Sequence, residues 1–223
     1  MSKPVLNHRQ STSITSSFGA LPRLALLSAV LLGGLLNTAC APLVIGGAMV
    51  GGAMVATDRR TSGIQVEDEG IEYKAAARVR EHFGLNTHVN INSYNRLVLI
   101  TGEVASEADR GKLETLVTGV ENVRTVLNET AVMPASSIGS RSNDVLIATK
   151  VKAQFVDAKD LLSNAFYVVV EREVVYLMGR VTEREATRAT ELARGVSGVK
   201  KVVRAFEIIS EEELARITPQ AKK

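Results

Sequence analysis

Residues 118–127 read TGVENVRTVL and residues 194–203 read RGVSGVKKVV. A pattern written twice in one chain limits the fold to two like units, each built from the same succession of elements. In the first copy, residues 72–83 (EYKAAARVREHF) place Ala75, Ala76, Val79 and Phe83 along one helical face. Residues 88–102 (HVNINSYNRLVLITG) alternate apolar and polar positions and predict two short strands turning at Tyr94-Asn95. Residues 106–119 predict a second helix, with Ser106 as N-cap and Gly119 as its stop, and a strand follows. The second copy repeats this order: residues 144–155 match the first helix at an offset of 72, 166–179 the strand pair at 77, and 182–208 the second helix and last strand at 76. On that alignment Ile147, Ala148, Val151 and Phe155 form the core face of the second copy. The expected class is α+β: two tandem α-β-β-α-β units, each a three-stranded sheet with both helices on one face. Units of this size are marginal alone, so packing between the copies is expected.

The N-terminus carries different information. Residues 1–39 hold Lys3, Arg9 and Arg23 and no acid, and an apolar run from Leu24 to Leu36 follows the last arginine. That run is short for a membrane span and reads as an export signal. Cys40, the chain's one cysteine, comes directly after Thr38 and Ala39, which resembles a bacterial lipobox; Asn37 stands where that pattern usually has Leu. The lipobox reading makes Cys40 the lipidation site; Ala41 stands where an inner-membrane retention signal typically has Asp, which by resemblance to enterobacterial lipoproteins implies the outer membrane. A plain secretory signal with a free thiol is the alternative. Tandem GGAMV follows at 46–55, read as a glycine-rich apolar tether, with a second membrane span as the alternative. Removing residues 1–39 leaves 27 − 3 = 24 basic residues against 24 acidic ones, so any electrostatic argument is local.

The expected boundaries are a signal at 1–39, a tether at 40–65, a first domain at 66–134, a linker at 135–141, a second domain at 142–209, and a short helix and tail at 210–223. The duplicated α-β-β-α-β order, the GEV and GRV turns into the second helix (102–104 and 179–181), GVENVRTV and GVSGVKKV, and TDRRTSGIQVEDE after the lipobox resemble the dual BON-domain outer-membrane lipoproteins of Gram-negative bacteria. The resemblance covers Cys40 to about Ile209. It implies a non-enzymatic envelope protein, lipid-anchored on the periplasmic face, whose second domain binds anionic phospholipid.

Nothing in the chain reads as an active site. His8 falls in the signal, and His82 and His88 have no second metal ligand at a recognised spacing. No G-x-S-x-G elbow occurs, and no cofactor or metal is expected. With no tryptophan and 4% aromatic residues, the chain lacks the stacking platforms of single-strand nucleic-acid binders. Gly195-Val-Ser-Gly198 spells GxxG, but it joins a helix to a strand and is expected to be a turn, with Asn122 taking the place of Gly198 in the first copy.

The difference between the copies is the functional signal. Residues 66–132 carry 7 basic and 11 acidic residues, 7 − 11 = −4; residues 142–208 carry 11 and 9, 11 − 9 = +2. On the first helix of the second copy, Val145, Leu146, Lys150, Lys152 and Val156 fall outside the core face, where the 72-residue offset puts Tyr73, Lys74, Arg78, Arg80 and Gly84. Outward aliphatics beside lysines are the composition of an interfacial helix, so these five residues are the expected phospholipid-binding site. The alternative is an adaptor that binds envelope proteins and uses lipid only as a tether.

Overall fold

The computed structural model describes residues 58–84 and 87–217. The signal, Cys40 and the GGAMV tether therefore lie outside the described residues. The first unit runs α1 (Ser62–Phe83), β1 (Val89–Tyr94), β2 (Leu97–Val104), α2 (Glu107–Thr118), β3 (Thr125–Asn128) and β4 (Ala131–Val132). The second runs α3 (Ile138–Asp157), a 3-10 turn (Ser163–Ala165), β5 (Tyr167–Glu171), β6 (Val174–Val181), α4 (Glu183–Arg194) and β7 (Lys201–Ile208), and a terminal helix α5 (Glu211–Ile217) follows.

Each unit has an antiparallel hairpin whose second strand is central and pairs in parallel with the last strand, in the orders β1-β2-β3 and β5-β6-β7. In the first unit the last strand is broken, because Asn128 Oδ1 accepts from Thr130 N–H and Thr130 Oγ1. β4 resumes the pairing with β2 two residues later.

Alternation along the strands divides each sheet into two faces, and both are buried. Val98, Ile100 and Val104 of β2 pack under α1 and α2 with Ile71, Ala75, Val79, Leu113 and Val117. Val175, Leu177 and Val181 of β6 do the same under α3 and α4 with Ile147, Val151, Phe155, Ala186, Ala189 and Ala193. The opposite faces meet each other: Tyr94 and Leu99 from one sheet pack with Tyr176, Met178 and Ala205 from the other, flanked by Leu127, Val169 and Val203. The result is four layers, helices over sheet over sheet over helices. It explains why β2 and β6 are buried along nearly their whole length instead of alternating.

Two sequence expectations change. The first helices are longer than expected. α1 begins at Ser62, where Thr61 Oγ1 accepts from Ile64 N–H; α3 begins at Ile138, where Ser137 Oγ accepts from Ser140 N–H, so residues 138–141 are its first turn and not linker. The helix alignment moves as well. The buried residues of α1 are Asp68, Ile71, Ala75 and Val79, and those of α3 are Asp144, Ile147, Val151 and Phe155; each pair is separated by 76, as in 144 − 68. The 72-residue match was one turn short. A shift of four residues nearly preserves a face of period 3.6, so apolar periodicity alone does not distinguish the two registers.

The corrected register exposes a duplicated device. Asp68 Oδ1 and Oδ2 accept the N–H groups of Arg96 and Asn95, at 2.8 Å each; Asp144 accepts those of Arg172 and Glu173, at 2.9 and 2.8 Å. Both hairpin turns have two successive left-handed residues, with φ of 50 and 66° at Asn95-Arg96 and 51 and 63° at Arg172-Glu173. A buried aspartate from the first helix therefore holds each turn in a conformation that non-glycine residues otherwise disfavour. Gly102 and Gly179 of the GEV and GRV segments lie within β2 and β6. Each is demanded by close backbone approach, since a Cβ at Gly102 would stand 2.1 Å from His88 O and one at Gly179 2.4 Å from Ala165 O. Asn122 and Gly198 occupy equivalent turns with φ of 69 and 98°.

Candidate functional site

With both sheet faces covered, the surfaces left for partners are the outer helices and the edges. On α3 the outward positions carry aliphatic side chains: Val145 is 66% exposed, Leu146 59% and Val156 70%. Lys150 and Lys152 are exposed beside them. The longer helix adds a residue the sequence reading had placed in the linker: Ile138, at 83% exposure, is the most open large apolar side chain on this helix. Ile138, Val145 and Val156 lie on one stripe, because 138 to 145 is about two turns and 138 to 156 five; the stripe is about 27 Å long at 1.5 Å per residue. Lys152 shares the stripe, whereas Lys150 stands about a third of a turn away from it, next to Leu146. Lys150 also borders a groove of about 380 Å³ between α3 and α4, with Gln154, Arg188 and Ser197 in its wall.

Realignment at 76 residues alters the comparison with the first copy. Val145, Leu146 and Val156 now stand opposite Glu69, Gly70 and Arg80, Lys152 opposite Ala76, and Lys150 opposite Lys74. Three outward positions that are polar or bare in α1 are aliphatic in α3. α1 keeps exposed Val66 and Tyr73, but they are separated by acids, including Glu67, Glu69 and Glu72.

The segment that leads into α1 is fixed on the second unit. Arg59 forms a bidentate pair with Glu185, at 2.8 and 2.7 Å, and donates to Arg180 O at 2.8 Å; both side chains of the pair are almost fully buried. Burial works to raise the Glu185 carboxyl, and the Arg59 guanidinium and Thr182 N–H outweigh it and hold that group below the usual carboxylate range. Arg60 reaches Asp68 and stacks 4.2 Å from the ring of Tyr94, whose hydroxyl is pushed up to about 12 by burial. At the other end of the second unit Ser210 Oγ caps α5, accepting from Glu213 N–H, and the Glu213 carboxylate binds Arg180.

The two histidines among the described residues fare differently. His82 is exposed beside Phe83. His88, for which sequence spacing offered no partner, meets Glu103 and Glu171, the latter from the second unit. Burial works to raise Glu103, but His88, Ser136 N–H and Arg172 outweigh it and hold it low; burial pushes Glu171 up against the hydrogen bond from Asn90.

The two α-β-β-α-β units are fused sheet to sheet, and only the second carries an outer helix with exposed aliphatic side chains beside lysines. The BON domain matches residues 73–134 and 143–210, more than half the chain, and the protein belongs to the BON-domain family. It is 37% identical over 173 residues to a protein named outer membrane lipoprotein DolP from Haemophilus influenzae, covering 76% of this chain and 89% of that one. It is 29% identical to the 21 kDa hemolysin of Actinobacillus pleuropneumoniae, over 68% of this chain and 79% of that protein. It is 26% identical to osmotically-inducible protein Y of Escherichia coli, over 61% and 70%. With this kinship the protein takes its place among dual-BON lipoproteins of the outer membrane. Among the described residues no helix is long and apolar enough to cross a membrane.

Proposed function

We propose that this protein, acylated at Cys40 and held on the periplasmic face of the outer membrane, docks its second BON domain on anionic phospholipid through α3 and so supports envelope integrity without acting as an enzyme. The observation that carries the reading is the stripe of Ile138, Val145 and Val156, with Leu146 beside it, on an outer helix that also presents Lys150 and Lys152. Aliphatic side chains on such a helix enter the acyl boundary while ammonium groups meet lipid phosphates. Each lysine near an anionic surface contributes about 1 kcal/mol, and the contribution weakens with salt. A lipid anchor supplies the effective concentration at which these small terms suffice.

Vesicle sedimentation of the mature chain carrying Cys40→Ala, which has no acyl anchor, tests the assignment. Binding is expected to rise with phosphatidylglycerol content, to fall with salt, and to be lost when Val145 and Val156 are both changed to Glu while the circular dichroism spectrum is retained. Undiminished binding by that variant rejects α3 as the docking surface. A chain that ignores vesicles of every composition supports the protein-adaptor alternative.

A further inference from the structure

The junction between the two units holds a second cluster of chemistry, on the side of the sheets away from the helices. β1 and β2 pair with Val89 opposite Gly102, which sets His88 and Glu103 side by side at one end of the first sheet, joined by a 2.8 Å hydrogen bond from Glu103 N–H to His88 O. Glu171, the last residue of β5, comes to the same point from the second sheet. One ring nitrogen of His88 and one oxygen from each carboxylate lie within 4.8 Å of one another. The side chains of Glu103 and Glu171 are 1 and 4% exposed, and that of His88 is 15% exposed.

Each carboxylate is oriented by a neighbour. Glu103 Oε2 lies 2.7 Å from His88 Nδ1 and accepts Ser136 N–H at 3.2 Å, while its buried Oε1 accepts no hydrogen bond. Glu171 Oε2 accepts from Asn90 Nδ2 at 2.9 Å, and its Oε1 is 3.9 Å from His88 Nδ1. Supporting hydrogen bonds of this kind hold metal-ligating carboxylates in place. The cation nearest the unpartnered oxygen is Arg172, 3.6 Å from it and already donating to Gly102 O. A cleft of about 190 Å³ lined by His88, Asn90, Arg141, Asp144 and Glu171 leads to the cluster.

We propose that His88, Glu103 and Glu171 form a binding site for a divalent cation of the zinc class, closing the junction between the two BON domains. One imidazole nitrogen and two carboxylate oxygens suit a cation that accepts mixed nitrogen and oxygen ligands in a four-coordinate shell, with water as the fourth ligand. Calcium asks for six to eight oxygens and magnesium for an octahedron of them. Metal–ligand bonds of about 2.0–2.2 Å set tetrahedral ligands roughly 3.3–3.6 Å apart, so the 2.7 Å contact opens and the 3.9 Å contact closes, each by less than about 1 Å. The cation replaces the His88–Glu103 hydrogen bond and neutralises two buried carboxylates. Because Glu171 belongs to the second unit, an occupied site ties the two domains together.

The test uses the full chain without a histidine tag, stripped with chelator and titrated with zinc chloride alone by calorimetry and by metal analysis after dialysis. One equivalent per chain and a raised thermal midpoint are expected, with no saturable magnesium binding under the same conditions. His88→Gln and Glu171→Gln, two independent near-isosteric changes, are each expected to weaken zinc binding at least tenfold. Arg172→Gln, which removes the competing charge, is expected to match or exceed the parent. Absence of stoichiometric zinc at micromolar concentration, or retention of full affinity by both ligand variants, overturns the assignment.

Discussion

Replacing Arg59 by Gln is the most informative single change, because it acts on a buried ion pair linking the segment that leads into α1 to the second domain. Arg59 and Glu185 are 6 and 5% exposed and share two hydrogen bonds. Glutamine leaves Glu185 with the Thr182 N–H of its capping box but without the guanidinium that pairs with it. Removing one partner of a buried pair typically costs about 3–5 kcal/mol, because the remaining charge stays desolvated. The sign of the pH dependence follows from the carboxylate. In the parent, Glu185 is held below its ordinary range, so it contributes stability above the unfolded carboxylate range and loses it as pH falls through the folded value. In the variant, burial acts unopposed by Arg59, protonation becomes favourable, and the penalty shrinks on acidification. Urea titrations of parent and Arg59→Gln at pH 7 and pH 4 are therefore expected to differ by several kcal/mol at the higher pH and by clearly less at the lower one. A gap independent of pH, or one under about 1 kcal/mol at pH 7, refutes the claim that charge pairing holds this segment.

Three further outcomes follow from particular contacts. Asp144→Asn offers the Arg172 and Glu173 amides one acceptor oxygen in place of two and turns an N–H₂ toward a buried turn, so a loss of about 1–3 kcal/mol is expected in the denaturation midpoint. Gly102→Ala sets a methyl group against His88 O in a left-handed conformation, and overpacking and strain of roughly 1–3 kcal/mol each predict an unfolding temperature lower by many degrees. Ile138→Glu, on a fully open position, should leave thermal stability within about 0.5 kcal/mol of the parent yet weaken vesicle binding; equal loss of both properties would show that Ile138 packs against protein.

The duplicated element order and the outward positions of α3 were legible in the sequence, because helical period 3.6, strand period 2 and turn residues at fixed intervals survive without tertiary context. Helix starts were less legible. Ser62 and Ile138 begin helices in segments rich in Ser, Gly and charge, where packing against the sheet and caps at Thr61 and Ser137 outweigh weak propensity. The register error between α1 and α3 arose because apolar faces repeat nearly every four residues. The polar marker that would have corrected it is Asp68 matched to Asp144, each three residues before an isoleucine that enters the core. The clustering of His88, Glu103 and Glu171 was not legible, since 15 and 68 residues separate the members and only the meeting of the two sheets joins them. The Arg59–Glu185 pair is illegible for the same reason, since its members lie 126 positions apart.

The contact between the two sheets has a consequence for how the copies can diverge. Each sheet serves as the other's cover, so the molecule has the organisation of a dimer whose protomers have been joined into one chain. In a dimer of identical subunits, any substitution that made an outer helix adhesive would appear on both sides and invite the particle to bridge two surfaces. Joining the subunits removes that constraint: α3 is free to gain Val145, Leu146 and Val156 while α1 keeps Glu69, Gly70 and Arg80. The outcome is a particle whose two outer first helices differ, one exposing aliphatic side chains and the other charged or bare positions in their place.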